Sequence, residues 1–410
     1  MKALRFSVAA AAALALALPA SVSAAENSVV ANSGTQIKFF GDARLRGTIN
    51  SMGDSFVDDE TAKFDTRLRF GMHAKTESGV EAYYRLRIFN TDVSGENFDD
   101  RADKGGSGLG IHPEEGAWVK APLMENATLQ FGMVVDDWGT SFSPGYGYNV
   151  PLADMSYTLS DDMTIGLEIV KNEERKGAFG VMGGENDHTT ITPWIAGKSG
   201  DLNYGVRFSL ENDNNATTGG SDTSDTHIAA FVTGKVNGID LAAELHTMSG
   251  DSYDDDPMGI FVQGLMPLDD QLTVGAALAV TMNGYESSKY FAPTALIGTV
   301  NPTGIVDFGG DFKDWKDDDG DKMPSTTGDG TDMAIVIPVI YKMSDTMSID
   351  AKLAHLTVLD GDESLTELDL GVSARLSQDV SYRAVMAYGM PSMSGEDDIL
   401  TLHHAISVRF

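Results

Sequence analysis

Cysteine is absent from this chain, which removes disulfide frameworks, thiolate metal sites and cysteine nucleophiles together. Proline is sparse, 13 in 410 residues, and nowhere does it gather with serine into a linker between domains. After the N-terminal segment there is no run of 18 apolar residues, so a helical membrane span is excluded. No stretch of useful length holds the i, i+3, i+4, i+7 spacing of an amphipathic helix. Positive charge is also scarce: 29 Lys and Arg stand against 61 Asp and Glu, a net charge of −32. That balance argues against nucleic acid or an anionic surface as a partner. Catalytic signatures are missing too. There is no H-E-x-x-H, His403 and His404 lack a nucleophile-elbow glycine pattern, and the Gly105–Gly110 run has neither a following helix nor a lysine. The chain does not read as an enzyme.

What is present begins with an export signal. Lys2 and Arg5 precede an apolar run from Phe6 to Leu18, followed by Pro19 and small residues up to Ala25. This is a positive n-region, an h-region too short to anchor, and a cleavage site after Ala24 or Ala25. Residues 1–25 are expected to be removed, leaving 26–410 as a single domain of net charge −34. Apolar residues make up 42% of the chain and recur in regular alternation, which argues against an acidic disordered chain.

The alternation is clearest in Thr35–Asn90. Ile37, Phe39, Ala43, Leu45 and Ile49 alternate with Lys38, Asp42, Arg44, Arg46 and Thr48. The next segment sets Phe64, Leu68, Phe70 and Met72 against Asp65, Arg67, Arg69 and His73. A third sets Ala82, Tyr84, Leu86 and Ile88 against Glu81, Tyr83, Arg85 and Arg87. A strand has a side-chain period of two, so three successive strands share one apolar face and one arginine-rich face.

Farther on, tight turns such as Lys198–Asp201, Val236–Gly238 and Pro267–Gln271 alternate with long polar loops. The longest loop is Met282–Thr331. Turns are also expected at Pro122–Asn126 and Ser160–Asp162, and a strand at Asp154–Leu159. The reading yields about eighteen strands, within a range of sixteen to eighteen. An open sheet of that size would leave unpaired backbone at its edges, and closure removes them. The expected fold is therefore all-β: a closed antiparallel transmembrane β-barrel with short periplasmic turns and long extracellular loops. Lipid takes the apolar face, and the charged face lines a lumen wide enough for water.

Three segments and the last residue carry a family resemblance: FFGDARLRG (Phe39–Gly47), FDTRLRFG (Phe64–Gly71), EAYYRLR (Glu81–Arg87) and Phe410. With them, the whole mature chain resembles a Gram-negative outer-membrane porin, most like the homotrimeric porins of sulfate-reducing bacteria. The resemblance implies passive diffusion of ions and small hydrophilic solutes through an outer-membrane barrel. It also implies homotrimers, contact with outer-membrane lipid and lipopolysaccharide, and a C-terminal strand ending in Phe410 as the insertion signal for the barrel assembly machinery. The loop after the fifth strand is implied to fold inward and constrict the lumen.

Two sets of site residues follow. The basic pore wall is Lys38, Arg44, Arg46, Arg67, Arg69, Arg85 and Arg87, with the arginine pairs expected at similar heights. The constricting loop supplies the acids Asp136, Asp137 and Asp154 and the bulk of Trp138, Tyr146 and Tyr148. Opposed, they would set up a transverse field; alternatively the arginines pair with Asp42, Asp65 and Glu81 nearby. If the acidic loops dominate, a weak cation preference is expected. A substrate-specific channel for small organic anions or sugars is the alternative function, and a lumenal run of aromatics would favour it. No cofactor is expected. In Asp311–Lys322, Asp317, Asp319 and Asp321 alternate like Ca²⁺ ligands, but Gly320 is misplaced and no glutamate closes the loop. The stretch reads as a solvated acidic loop through which Ca²⁺ could bridge to lipopolysaccharide.

Overall fold

The computed structural model describes residues 28–30, 34–52, 61–92, 116–144, 149–174, 187–213, 222–285, 287, 293–296, 331–358, 364–392 and 398–410. A short strand β1 (Ser28–Val30) precedes eighteen longer ones. These are β2 (Gln36–Met52), β3 (Thr61–Lys75), β4 (Glu81–Asp92), β5 (Ala117–Met124), β6 (Ala127–Val135), β7 (Asn149–Ser160), β8 (Met163–Glu174), β9 (Asp187–Ser199) and β10 (Leu202–Asp213). The second half comprises β11 (Thr223–Val236), β12 (Ile239–Gly250), β13 (Met258–Pro267), β14 (Leu272–Met282), β15 (Thr331–Ser344), β16 (Met347–Val358), β17 (Ser364–Arg375), β18 (Val380–Pro391) and β19 (Ile399–Arg409). No helix occurs among the described residues.

Each strand from β2 to β19 pairs antiparallel with the next in sequence, and β19 returns to β2. The result is a closed eighteen-stranded barrel. At the seam, Ile399 pairs with Met52 and Arg409 with Asp42, and the Gly41 and Phe410 amides and carbonyls bond reciprocally at 2.7 and 3.0 Å. The Phe410 ring lies over Gly41, where a Cβ would sit 2.6 Å from it. Beyond Asp42, β2 has no β19 partner, and β1 covers that edge by pairing Ser28–Val30 with Gln36–Lys38. This small strand was not expected from the sequence; it meets the hydrogen-bonding demand of a projecting edge.

The face assignment follows the period-two rule. Phe39, Phe70, Phe131, Leu245, Leu353 and Leu370 are exposed on the outside, as an apolar band in lipid must be. Their inward neighbours include Asp42, Arg69, Glu244, His246, Glu367 and Asp369. The short connections carry the backbone conformations that tight turns need. Asn237 and Gly238 both have positive φ, 51° and 85°, the requirement of a two-residue turn whose twist matches its flanking strands.

Two boundaries differ from expectation. Strand β5 continues through Pro122 to Met124, so the turn is only Glu125–Asn126, with Asn126 at φ 66°. A register shift between Pro122 and Met124 accommodates the missing proline N–H. Strand β7 starts at Asn149 rather than Asp154, pairing Pro151 with Met133. The Gly- and aromatic-rich composition before it masked that start.

Candidate functional site: the inner wall and its inward segments

On the inner face of β2–β4, one carboxylate organises several guanidiniums. Asp42 and Arg69 face each other in register. Arg69 Nε donates to Asp42 at 2.9 and 3.0 Å, Arg67 Nη2 lies 3.4 Å from Asp42 Oδ1, and Arg85 Nη2 also donates to Asp42. All four side chains are less than a quarter exposed. Pairing with Asp42, the alternative weighed from sequence, therefore occurs. Glu81 instead accepts from Lys75 at 2.9 Å and engages His73 at 3.0 Å, both at the short-turn end. The side chain of Asp65 lies outside the described residues.

The arginine pairs do not fall opposite one another, pair for pair, in register. Arg85 is level with Gly71 and Phe40, Arg69 and Arg87 with Asp42, Arg67 with Arg44, and Arg46 with Asp65. This staircase runs from Phe40 to Arg46 on β2, roughly 20 Å of strand. The stagger comes from the hairpin registers and from a bulge where β4 meets Leu68 and Arg69. Lys38 sits below them, exposed and opposite His73.

Beside the staircase, three aromatic rings from three strands meet. Phe40 and Tyr83 stack at 5.5 Å between centroids, and Tyr83 and Trp118 at 5.3 Å with planes 8° apart. The Arg85 guanidinium lies 5.9 Å from the Phe40 centroid. The Phe40 ring fits because its partner is Gly71, where a Cβ would approach it to 2.4 Å. In the linear sequence these aromatics look scattered; register brings them together.

The connection after β6 folds inward, as the resemblance implied, and docks on the wall formed by β9–β13. Arg207 on β10 donates to Asp136 at 3.2 Å and to Ser143 Oγ at 3.1 Å, and its guanidinium lies over Trp138 at 5.6 Å. The Thr140 N–H donates to Glu244 Oε2 at 2.8 Å, joined by the Thr140 hydroxyl. Glu244 is in turn bonded to His246 at 2.7 Å, and His246 to His227 at 2.9 Å. Phe142 is fully buried between Phe261 and Tyr285, whose hydroxyl donates to the Phe142 carbonyl at 3.1 Å. Trp138 meets Phe231 edge-on at 5.2 Å.

The predicted loop residues thus separate. Asp136 is engaged by Arg207. Asp137 beside it is exposed. Asp154 is not a loop residue: it stands on the β7 wall and accepts the Trp194 indole N–H at 2.9 Å. Trp138 fills space between Arg207, Phe231 and Trp194. Tyr146 and Tyr148 lie outside the described residues, as do Asp317, Asp319 and Asp321. Among the described residues, no group of three or more His, Asp or Glu could hold a metal ion. Sequence reasoning missed Arg207, Glu244 and His246. Their signal was available in the inward parity of β10 and β12, where polar residues alternate with Val206, Phe208 and Leu245.

A model of the Gram-negative porin family matches residues 9–361. Among solved structures, the chain is similar to OccK9 (OpdG) of Pseudomonas aeruginosa, at TM-score 0.58 and 9% identity, covering 91% of this chain and 98% of that one. It is similar also to the outer membrane protein OpdK of the same organism, at TM-score 0.53 and 11% identity, covering 91% and 99%. An anion-selective porin from Comamonas acidovorans aligns at TM-score 0.49 and 11% identity over 92% and 100%. A search of curated proteins gave no match.

Proposed function

The chain belongs to the Gram-negative porin family, channels of the outer membrane rather than enzymes, and from that premise we propose that it is a general diffusion porin. It gives ions and small hydrophilic solutes passive passage through a water-filled lumen along an arginine-rich wall. The observation that carries this reading is the Asp42 cluster, in which one carboxylate serves the guanidiniums of Arg67, Arg69 and Arg85. A wall with more cations than its organising anion suits hydrated, unselective traffic better than a dry, shaped pocket. The inward loop spends Asp136 on Arg207, so it leaves the staircase its positive local field. The acidic chain acts in the opposite sense at the mouths, and the two together give weak selectivity. On the same reading residues 1–25 are cleaved on export, three copies associate in the membrane, and the acidic stretch at Asp317, Asp319 and Asp321 meets Ca²⁺ and lipopolysaccharide.

A second reading rests on the Phe40–Tyr83–Trp118 stack beside Arg85. Such a surface suits a substrate-specific channel for small organic anions or sugars. Single-channel recording in planar bilayers separates the two. A diffusion porin gives a large, ohmic conductance that neither sugars nor organic anions reduce. Saturable block by one such solute would replace the first reading with the second, and no conductance at all would sink both.

A further inference from the structure

Four residues of the connection between β14 and β15, Pro293–Leu296, lie against the inner wall of β16–β18, and that wall is built to receive them. Glu367 Oε1 accepts the N–H groups of Ala295 at 3.1 Å and Leu296 at 2.8 Å. Asp369 Oδ2 accepts the Ala295 N–H at 3.0 Å. The Thr294 hydroxyl donates to Glu367 Oε2, and Lys352 Nζ donates to the Pro293 carbonyl at 2.7 Å. Successive N–H groups form a concavity that holds an acceptor; here the barrel wall supplies it as the Glu367 carboxyl. Leu296 is fully buried and fills the space over Gly389, where a Cβ would stand 2.6 Å from its Cδ1.

These contacts explain an oddity of the wall. Glu367 is 0% exposed and Asp369 2%, on the inside of a barrel expected to be wet. Buried carboxylates need donors, and these obtain peptide N–H groups from the inward segment. Nearby, Ala334, Val336, Ala354 and Leu356 point inward and are buried with Leu296, so this side of the lumen is packed rather than open.

We propose that Lys352, Glu367, Asp369 and Gly389 form a clasp for Pro293–Leu296, and that this clasp holds a second obstruction, joined through Tyr285 to Phe142 of the loop after β6, which sets the channel's size limit. The proposal rests on the channel reading above.

The absence of native cysteine permits a clean test. Leu296→Cys and Gly389→Cys are introduced together, with Glu367→Ala and Asp369→Ala in the same chain, and conductance and neutral-solute exclusion are measured oxidised and reduced. Oxidation should cross-link the pair and keep wild-type behaviour. Reduction should raise conductance by at least about 1.5-fold and admit larger sugars, since a released segment widens the path. Failure of the same cysteine pair to cross-link with Glu367 and Asp369 intact, or equal conductance in the two states, would overturn the clasp. If the wild-type barrel does not conduct, the channel reading fails instead. Should the double alanine variant not fold, judged by heat-dependent gel mobility, Gly389→Val expels Leu296 without touching the carboxylates, and unchanged solute exclusion in it overturns the proposal equally.

Discussion

Replacing Asp42 with asparagine tests whether ions pass the arginine staircase. The carboxylate holds Arg69 at 2.9 Å and Arg67 at 3.4 Å, and takes a further bond from Arg85. Asn keeps the size and one acceptor oxygen but deletes a unit of negative charge, so the cluster moves from two net positive charges to three. An ion passing at about 6 Å feels that change as roughly 0.7 kcal/mol at the dielectric of water. Screening with a Debye length of about 10 Å at 0.1 M salt reduces it to about 0.4 kcal/mol. The term helps anions and hinders cations by the same amount, so the chloride-to-potassium permeability ratio should rise about fourfold. Across a tenfold KCl gradient, this moves the reversal potential by roughly 25 mV in the anion direction, and less at higher salt. Guanidiniums left about 6 Å apart repel by only about 0.7 kcal/mol per pair in water, and their long side chains can splay, so the barrel should persist. A shift below about 5 mV at 0.1 M, or one toward cations, would refute the inference that the permeating path runs beside Asp42.

Three further outcomes are expected. Glu244→Ala strips the half-buried Thr140 N–H and the buried His246 of their shared partner, the buried donor alone costing about 1–3 kcal/mol; the loop after β6 should loosen, seen as greater open-channel noise and new protease cleavage near Thr140. Phe410→Ala removes the ring over Gly41 and the aromatic we propose as the insertion signal, so the folded fraction in outer membranes should fall severalfold on semi-native gels while total protein is unchanged. In the β13–β14 turn, Asp269 accepts the N–H groups of Gln271 at 2.8 Å and Leu272 at 2.7 Å, and these bonds lower its pKa. A lowered folded pKa contributes stability above the ordinary aspartate value that is lost as pH falls through the folded one. The Gln271 and Leu272 amide shifts should therefore titrate only below the ordinary aspartate range, and Asp269→Ala should abolish that titration.

Much of the fold was legible because a barrel strand writes its orientation into every second residue. The rows Phe39–Ala43–Leu45 and Arg67–Arg69 state both the strand and its two faces, and alternating connection lengths state the hairpins. Less legible was anything set by register. Arg44, Arg67 and Arg85 look equivalent in sequence, but pairing places them on different steps, and only pairing stacks Tyr83 on Trp118. The docking of the inward loop was out of reach for a different reason: Thr140 and Glu244 are 104 residues apart, and neither belongs to a pattern that names the other. One clue went unused. Strand β15 reads Met333–Ile337 without a polar residue, and a strand apolar on both faces signals packing on both. That is how the filled side of the lumen could have been foreseen.

The seam between β19 and β2 bears on how such a chain folds. Every other barrel pairing joins neighbours in sequence, the widest gap being the connection from Met282 to Thr331. The seam alone must search across some 350 residues, as with Thr48 and His403, and loop-closure entropy grows with that separation. High contact order slows folding, so the rate-limiting event should be the meeting of the two terminal strands, after the hairpins exist. Until then the sheet has two free edges, at which copies of the chain can join. Folding and aggregation are then decided by one competition, at a single pair of strands.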